Sequence, residues 1–152
     1  AHQLVEKYLL RFRRLFMDTD INQSSDLYKA FKLNRERLQL TQEKTAKAAK
    51  VVIDILESWE LKHSPVYSLF KEELPKYELS SEYEFSDEFV FAASLILGIY
   101  ADLRKLFLQD AHHLEWINSP HKHLEDDQPS KLIASGNVKH IAKVRDFIRS
   151  SL

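Results

Sequence analysis

The chain has no cysteine, two glycines, four prolines and one methionine in 152 residues. Without cysteine there is no disulfide framework and no thiolate metal site. That absence also fits a reducing compartment, so the expected location is the cytoplasm. So few glycines and prolines disfavour a turn-rich β-sandwich and favour helices joined by short connections. Two glycines also leave nothing from which to build a phosphate-cradling loop. Long apolar runs are missing too. The longest, from Phe89 to Ala101, is interrupted by Ser94 and Gly98. It is too short to span a bilayer and reads as a buried core helix. The first residues alternate apolar with charged side chains, so no secretory leader is expected.

What is present is an ordinary globular composition, 44% hydrophobic and 30% charged, enough for one domain or two small helical ones. The net charge of −1 gives the whole protein no strong pull on nucleic acid. Its distribution is uneven. Residues 29–50 carry seven Lys/Arg against two Glu, 71–88 two Lys against seven acids, and 139–149 four basic residues against one Asp. The plain reading of each run is a solvated helix face.

Apolar spacing predicts helices over residues 2–17 and from Ser25 to about Leu38. A helix starting at Ser86 has Asp87 and Glu88 in its first turn, where the helix dipole favours them. Its apolar face runs through Phe89, Ala93, Ile96, Ile99, Tyr100, Leu103 and Phe107 to about Leu108. Residues 61–85, punctuated by Pro65 and Pro75, read as a connector with some structure. In the last helix Ile141, Val144 and Ile148 share one side, and Lys139, Lys143, Arg145 and Arg149 are expected to ring the solvated remainder.

The most informative segment is residues 116–152. Pro120 ends the helix carrying Trp116, because the residue before proline avoids the α region. Pro129 sits where a first helical turn begins and costs no hydrogen bond. Gly136 suits a left-handed helix exit, and Asn137 can cap the closing helix. Trp116, Leu124, Leu132 and Ile133 are then expected to fold over one another as a helical knot.

This order of residues resembles the toxin-binding domain of the MbcA/ParS/Xre antitoxin family. Ala111, Trp116-Ile117, Pro120, Leu124, Pro129, Leu132-Ile133 and Gly136 take the places of the family pattern. The likeness extends back through Leu95–Tyr100 and Leu103–Phe107, covering roughly the last 65 residues. The chain departs at Glu125-Asp126-Asp127, where the family carries one or two glycines. The resemblance implies an antitoxin of a type II toxin–antitoxin pair. Its carboxy-terminal domain would sit on the cognate toxin, a RES-class enzyme that consumes NAD, and block the active site. The toxin-contacting candidates are Trp116, Leu132, Lys143, Arg145 and Arg149, the three cations being suited to a pocket built for nucleotide phosphates. A homodimer or a larger complex with the toxin is the expected assembly.

A second segment, Leu40-Thr41-Gln42-Glu43 with Ala46, Val51, Ile55 and Trp59-Glu60, resembles a Xre/Cro-type helix-turn-helix. That implies operator DNA as a second partner, with Thr41, Gln42, Lys44, Lys47 and Lys50 as contacts. Here the turn glycine is replaced by Lys50. The outward face of the would-be recognition helix offers Val52, Ile53, Asp54, Leu56, Glu57 and Ser58, whereas base edges are read by Arg, Lys, Asn and Gln. Val52, Ile53 and Leu56, if exposed, would suit a dimerisation surface.

No catalytic constellation is visible. His112-His113 and His121-x-His123 lack the i, i+4 spacing of a helical metal pair, and no nucleophile motif is present. The expectation is therefore an all-α protein without cofactor, metal or enzymatic activity. Residues 1–64 would form a helix-turn-helix-like domain with a leading helix, 65–85 a connector, and 86–152 the toxin-binding domain. The alternatives are a stand-alone DNA-binding regulator and a helical dimerisation or scaffold protein.

Overall fold

The computed structural model describes residues 42–80 and 82–152. The helices expected over 2–17 and 25–38 lie outside them. The described residues form six α-helices: α1 Gln42–Ser58, α2 Pro65–Leu79, α3 Asp87–Leu106, α4 Asp110–Ile117, α5 Pro129–Ala134 and α6 Val138–Ser150. A single 3-10 turn, Lys122–Leu124, lies between α4 and α5. No β-strand occurs among the described residues; His121 and Asp127 form an isolated antiparallel bridge. The all-α expectation is therefore met. No helix among the described residues is long and apolar enough to cross a membrane.

The central element is α3. A helix apolar on every side must be enclosed on every side, and every residue from Phe89 to Leu97 is buried. Ser94, the polar residue in that stretch, donates from its hydroxyl to the Val90 carbonyl at 2.9 Å, so its burial leaves no unmet donor. Ser86 starts the helix by accepting the Phe89 N–H at 3.1 Å. α6 lies along one side of α3, and α1, itself packed on α2, lies along another. α4, the 3-10 turn and α5 wrap the end of α6.

Two expectations for the first half are corrected. α1 is one unbroken helix through Lys50 and Val51, so the helix-turn-helix turn expected there is not formed. The physical reason is local. Lys50 gives the backbone no easy left-handed exit, while Ala46, Ala48 and Ala49 favour continuation. The helix ends later, where Glu60 takes φ 61° and the Leu61 N–H closes back onto the Leu56 carbonyl at 2.9 Å. Val52, Ile53 and Leu56 are also not exposed. They are buried with Val51, Ile55 and Trp59, because α1 has neighbours on more than one side.

The expected connector contains a full helix. Pro65 occupies the first turn of α2 and Ser64 caps it. Pro75 sits inside the same helix, so it does not interrupt the chain there as its position suggested. Val66, Phe70 and Leu74 turn inward. The Tyr67 hydroxyl donates to Glu57 at 2.7 Å, tying α2 to α1. Phe85, in the loop before α3, stacks on Phe89 with centroids 4.8 Å apart and lies 5.4 Å from the Tyr77 ring. Its backbone N–H donates to the Gln42 side chain at 2.8 Å. One hydrophobic cluster runs from Ala46 to Ile148 through all of these elements.

The α3–α6 contact contains a buried ion pair. Asp102 and Arg145 are at most 2% exposed, and the Arg145 guanidinium donates to the Asp102 carboxylate. Gly98, one turn before Asp102, makes room for it. A Cβ there would come within 2.5 Å of Arg145 Nε. Burial pushes the guanidinium's pKa down and the Asp102 charge pulls it back up.

Removing one partner of such a pair strands the other charge in the core. Arg145→Ala should therefore cost about 3–5 kcal/mol, whereas the apolar double variant Asp102→Leu/Arg145→Met should lie far closer to the parent. Gly98→Ala should cost about 1–3 kcal/mol through overpacking against a pinned side chain. Urea denaturation of the variants measures all three effects; an Arg145→Ala variant as stable as the parent would show that the pair does not hold α3 to α6.

Candidate functional site

Residues between Trp116 and Gly136 take the local roles their chemistry suggested. Pro129 lies in the first turn of α5. Gly136 has φ 73° and its N–H returns to the Ile133 carbonyl at 3.2 Å. The Asn137 side chain accepts the Lys139 N–H at 2.9 Å and starts α6. Leu124 and Ile133 are buried, and Trp116 and Leu132 pack half-buried against the same core. Glu125 and Asp126 have φ of 57° and 62°. These are left-handed values, uncommon for residues with a Cβ. The loop therefore keeps a glycine-like path with acidic residues in it.

Beside this loop lies an open cavity of about 400 Å³, bounded by the 3-10 turn, α5 and one face of α6. Leu124, Leu132 and Phe147 supply apolar wall. Glu125, Asp127 and Asp146 bring carboxylates, Lys143 an ammonium, and His123 and Ser150 further polar groups. Phe147 organises the aromatic part. It stacks on Trp116 at 5.8 Å and 16°, and its centroid lies 5.1 Å from His121 and 5.8 Å from His123. The His121 ring is tied through Nε2 to the Trp116 carbonyl at 3.1 Å, consistent with an Nε2–H donor.

Asp146 is the electrostatically unusual group. Burial raises its pKa from 3.8 to about 6, against the opposing pull of Arg145 and Arg149. No hydrogen bond or ion pair satisfies its carboxylate among the described residues. Lys143, exposed on the same helix, lines the same cavity without pairing to it.

The sequence-selected residues separate into two groups. Leu132 and Lys143 line the cavity, and Trp116 stands behind Phe147. Arg149 is half-buried on α6 and outside the lining. Arg145 is the correction among them. It faces Gly98 and Asp102 in the core and is 2% exposed, so it offers nothing to a partner's surface. Helical spacing signals this, since Arg145 lies four residues after Ile141 and next to Val144, yet its charge had placed it outside. Phe147 and Asp146 were not singled out by the sequence, and His121 and His123 were weighed only as metal ligands. They gather only because the 3-10 turn folds back onto α6.

The described DNA-contact candidates are spread along α1, with Lys47 and Lys50 exposed. Gln42 holds the Phe85 backbone. Lys47 pairs with Glu43 at 3.5 Å and Lys50 approaches Glu78 at 3.9 Å. Lys44 is half-buried, and Thr41 lies outside the described residues. Among the histidines, His113 is buried and bound through Nε2 to the Phe107 carbonyl at 2.9 Å. No group of three potential metal ligands occurs among the described residues.

The fold and site thus define an all-α helical protein with a mixed aromatic and acidic cavity at its carboxy-terminal end. Comparison with protein-family models, curated proteins and solved structures finds no match to this chain.

Because the folded state holds the Asp146 proton more tightly than the unfolded chain, the cost of this group is absent below pH 3.8. It grows as pH rises and is complete above about 6. Asp146→Asn should therefore raise the melting temperature at neutral pH, with the gain shrinking as the buffer is taken toward the ordinary carboxylate range. A gain that is the same at both ends would exclude titration of Asp146 as its source.

Proposed function

We propose that this protein is the antitoxin of a type II toxin–antitoxin pair. It neutralises a RES-class, NAD-consuming toxin by covering its active site with the surface built from α4, the 3-10 turn, α5 and α6. It acts by binding and performs no chemistry itself. The observation that carries this reading is the left-handed backbone at Glu125 and Asp126. These residues stand where the antitoxin pattern has glycine, and the loop keeps the conformation glycine would allow although the side chains no longer favour it. Around it Leu124 and Ile133 are buried, Pro129 opens α5 and Gly136 takes φ 73°, local roles that support the resemblance.

The surface suits a binding role. Trp116 and Phe147 form a half-buried aromatic pair, the kind of rigid anchor enriched at interfaces. Lys139 and Lys143 are exposed beside it. With Arg145 committed to the core, the cations left for an anionic pocket on the toxin are Lys139, Lys143 and Arg149.

Operator binding does not enter this proposal. Val52, Ile53 and Leu56 on the face of α1 that would read bases are buried, its exposed members include the acids Asp54 and Glu57, and Gln42 holds the Phe85 backbone. The dimerisation reading based on Val52, Ile53 and Leu56 loses its surface for the same reason.

Co-expression with the product of the adjacent gene should yield a stable complex and relieve growth arrest. Charge reversal at Lys143 and Arg149 together should weaken neutralisation about tenfold or more with folding intact, as expected for charges that steer and orient a partner. Arg145→Glu should instead abolish folding. A partnerless protein, or a double reversal that neutralises fully, would remove the respective part of the proposal.

A further inference from the structure

We propose that the junction of α4, the 3-10 turn and α6 is a proton-operated clamp, in which protonated His121 draws the Trp116 and Phe147 rings together and firms the candidate binding surface as the surroundings acidify. Rings from three separate parts of the chain meet there. The His121 ring lies 4.8 Å from Trp116 on α4 and 5.1 Å from Phe147 on α6. Trp116 and Phe147 in turn stack on one another at 5.8 Å. A charge placed on His121 therefore acts on both of its aromatic neighbours, because a cation against a ring is attracted by the ring's quadrupole.

The backbone holds the imidazole in place. His121 leads into the 3-10 turn. Its N–H donates to the Asp127 carbonyl at 3.3 Å, and its own carbonyl accepts the Asp126 N–H at 3.0 Å. The ring is tied through Nε2 to the Trp116 carbonyl at 3.1 Å. That bond survives protonation, since both ring nitrogens of an imidazolium are donors. Histidine is the side chain that ordinarily changes charge between roughly pH 5 and 8. The charged groups on the surrounding elements are Glu115 on α4, Lys122 and His123 in the turn, Glu125, Asp126 and Asp127 in the loop, Lys131 on α5, and Lys143, Asp146 and Arg149 on α6. Among them acids outnumber lysines and arginine, so the surroundings do not oppose a cation at His121.

Asp146, next to Phe147 on α6, acts in the same sense. Burial raises its pKa from 3.8 to about 6 against the pull of Arg145 and Arg149, so acidification also removes a half-buried negative charge beside the rings. The two contributions share a sign. The attraction at His121 is present while its ring is charged and fades as pH rises through the histidine range, and the cost at Asp146 grows as pH rises to about 6. His123 provides the contrast. It is exposed, and its ring meets Phe147 at 5.8 Å without a ring contact to Trp116. The clamp goes beyond the antitoxin reading and does not need it, because it concerns how firmly the surface is held and not what the surface meets.

Two measurements on the full chain test the clamp. The first is the melting temperature at about pH 5.5 and about pH 7.5, on either side of the ordinary histidine midpoint. His121→Gln and His123→Gln are each compared with their parent in an Asp146→Asn background, so that titration of Asp146 drops out. Glutamine keeps an N–H for the Trp116 carbonyl and carries no charge. The loss caused by His121→Gln should be larger at the acid pH by roughly 2–4 °C, the shift that one cation–π contribution gives a chain of this length. His123→Gln should show no such difference. The second measurement is an NMR titration of the unsubstituted chain, in which the Trp116 indole and Phe147 ring signals should move with the His121 midpoint. An equal loss from His121→Gln at both pH values, the same acid-dependent loss from His123→Gln, or ring signals that follow another group's midpoint would each overturn the proposal.

Discussion

The ion pair between Asp102 and Arg145, buried where α3 meets α6, fixes how these two helices face one another. Two opposite charges withdrawn from water tolerate little displacement, because the attraction that offsets their desolvation requires close geometry. Gly98 supplies the space, since no side chain fits between α3 and the guanidinium stem. This pairing sets the rotation of α6 about its own axis. With Arg145 directed into the core, Asp146 and Phe147 are carried round to the cavity side and Lys143 stays exposed. The same contact therefore determines the composition of the candidate binding surface.

The opposite half of the structure is held by different means. α1 and α2 are joined by the Tyr67–Glu57 hydrogen bond, and the loop before α3 is pinned by Phe85, stacked on Phe89, and by Gln42. Gly136 brings the exit of α5 against the backbone at the start of α2, with Val66 3.6 Å from where its Cβ would be. The carboxy-terminal knot thus leans on the segment first read as a connector. Gln42, which the sequence offered as a DNA contact, ties α1 to the loop before α3 through the Phe85 backbone. A short sequence match to one helix and the start of another does not determine whether a turn separates them; alanine-rich continuity does so here.

The surface proposed for binding combines features of different physical kinds. The aromatic pair of Trp116 and Phe147 gives rigid, partly apolar area. The exposed lysines of α6 give attraction at a distance, weakened by salt. The cavity beside them is lined by Glu125, Asp127 and Asp146. The left-handed Glu125 and the poorly hydrated Asp146 each carry a local energetic cost, and residues retained at such cost concentrate at functional sites.

Much of the local structure was legible in the chain. The start of α3 at Ser86, the first turn of α5 at Pro129, the left-handed exit at Gly136 and the cap at Asn137 all depend on short-range chemistry, so neighbouring residues suffice to determine them. The apolar content of residues 89–97 likewise required a central, enclosed helix. The destination of Arg145, the burial of Val52 and Leu56, the helical character of 65–79 and the gathering of His123, Asp146 and Phe147 were decided only by tertiary structure. Each depends on a partner distant in sequence, Asp102 for Arg145 and the 3-10 turn for Phe147. Periodicity identifies an apolar face, but whether a second face is also covered, or a charge is met inside, depends on which helices pack together.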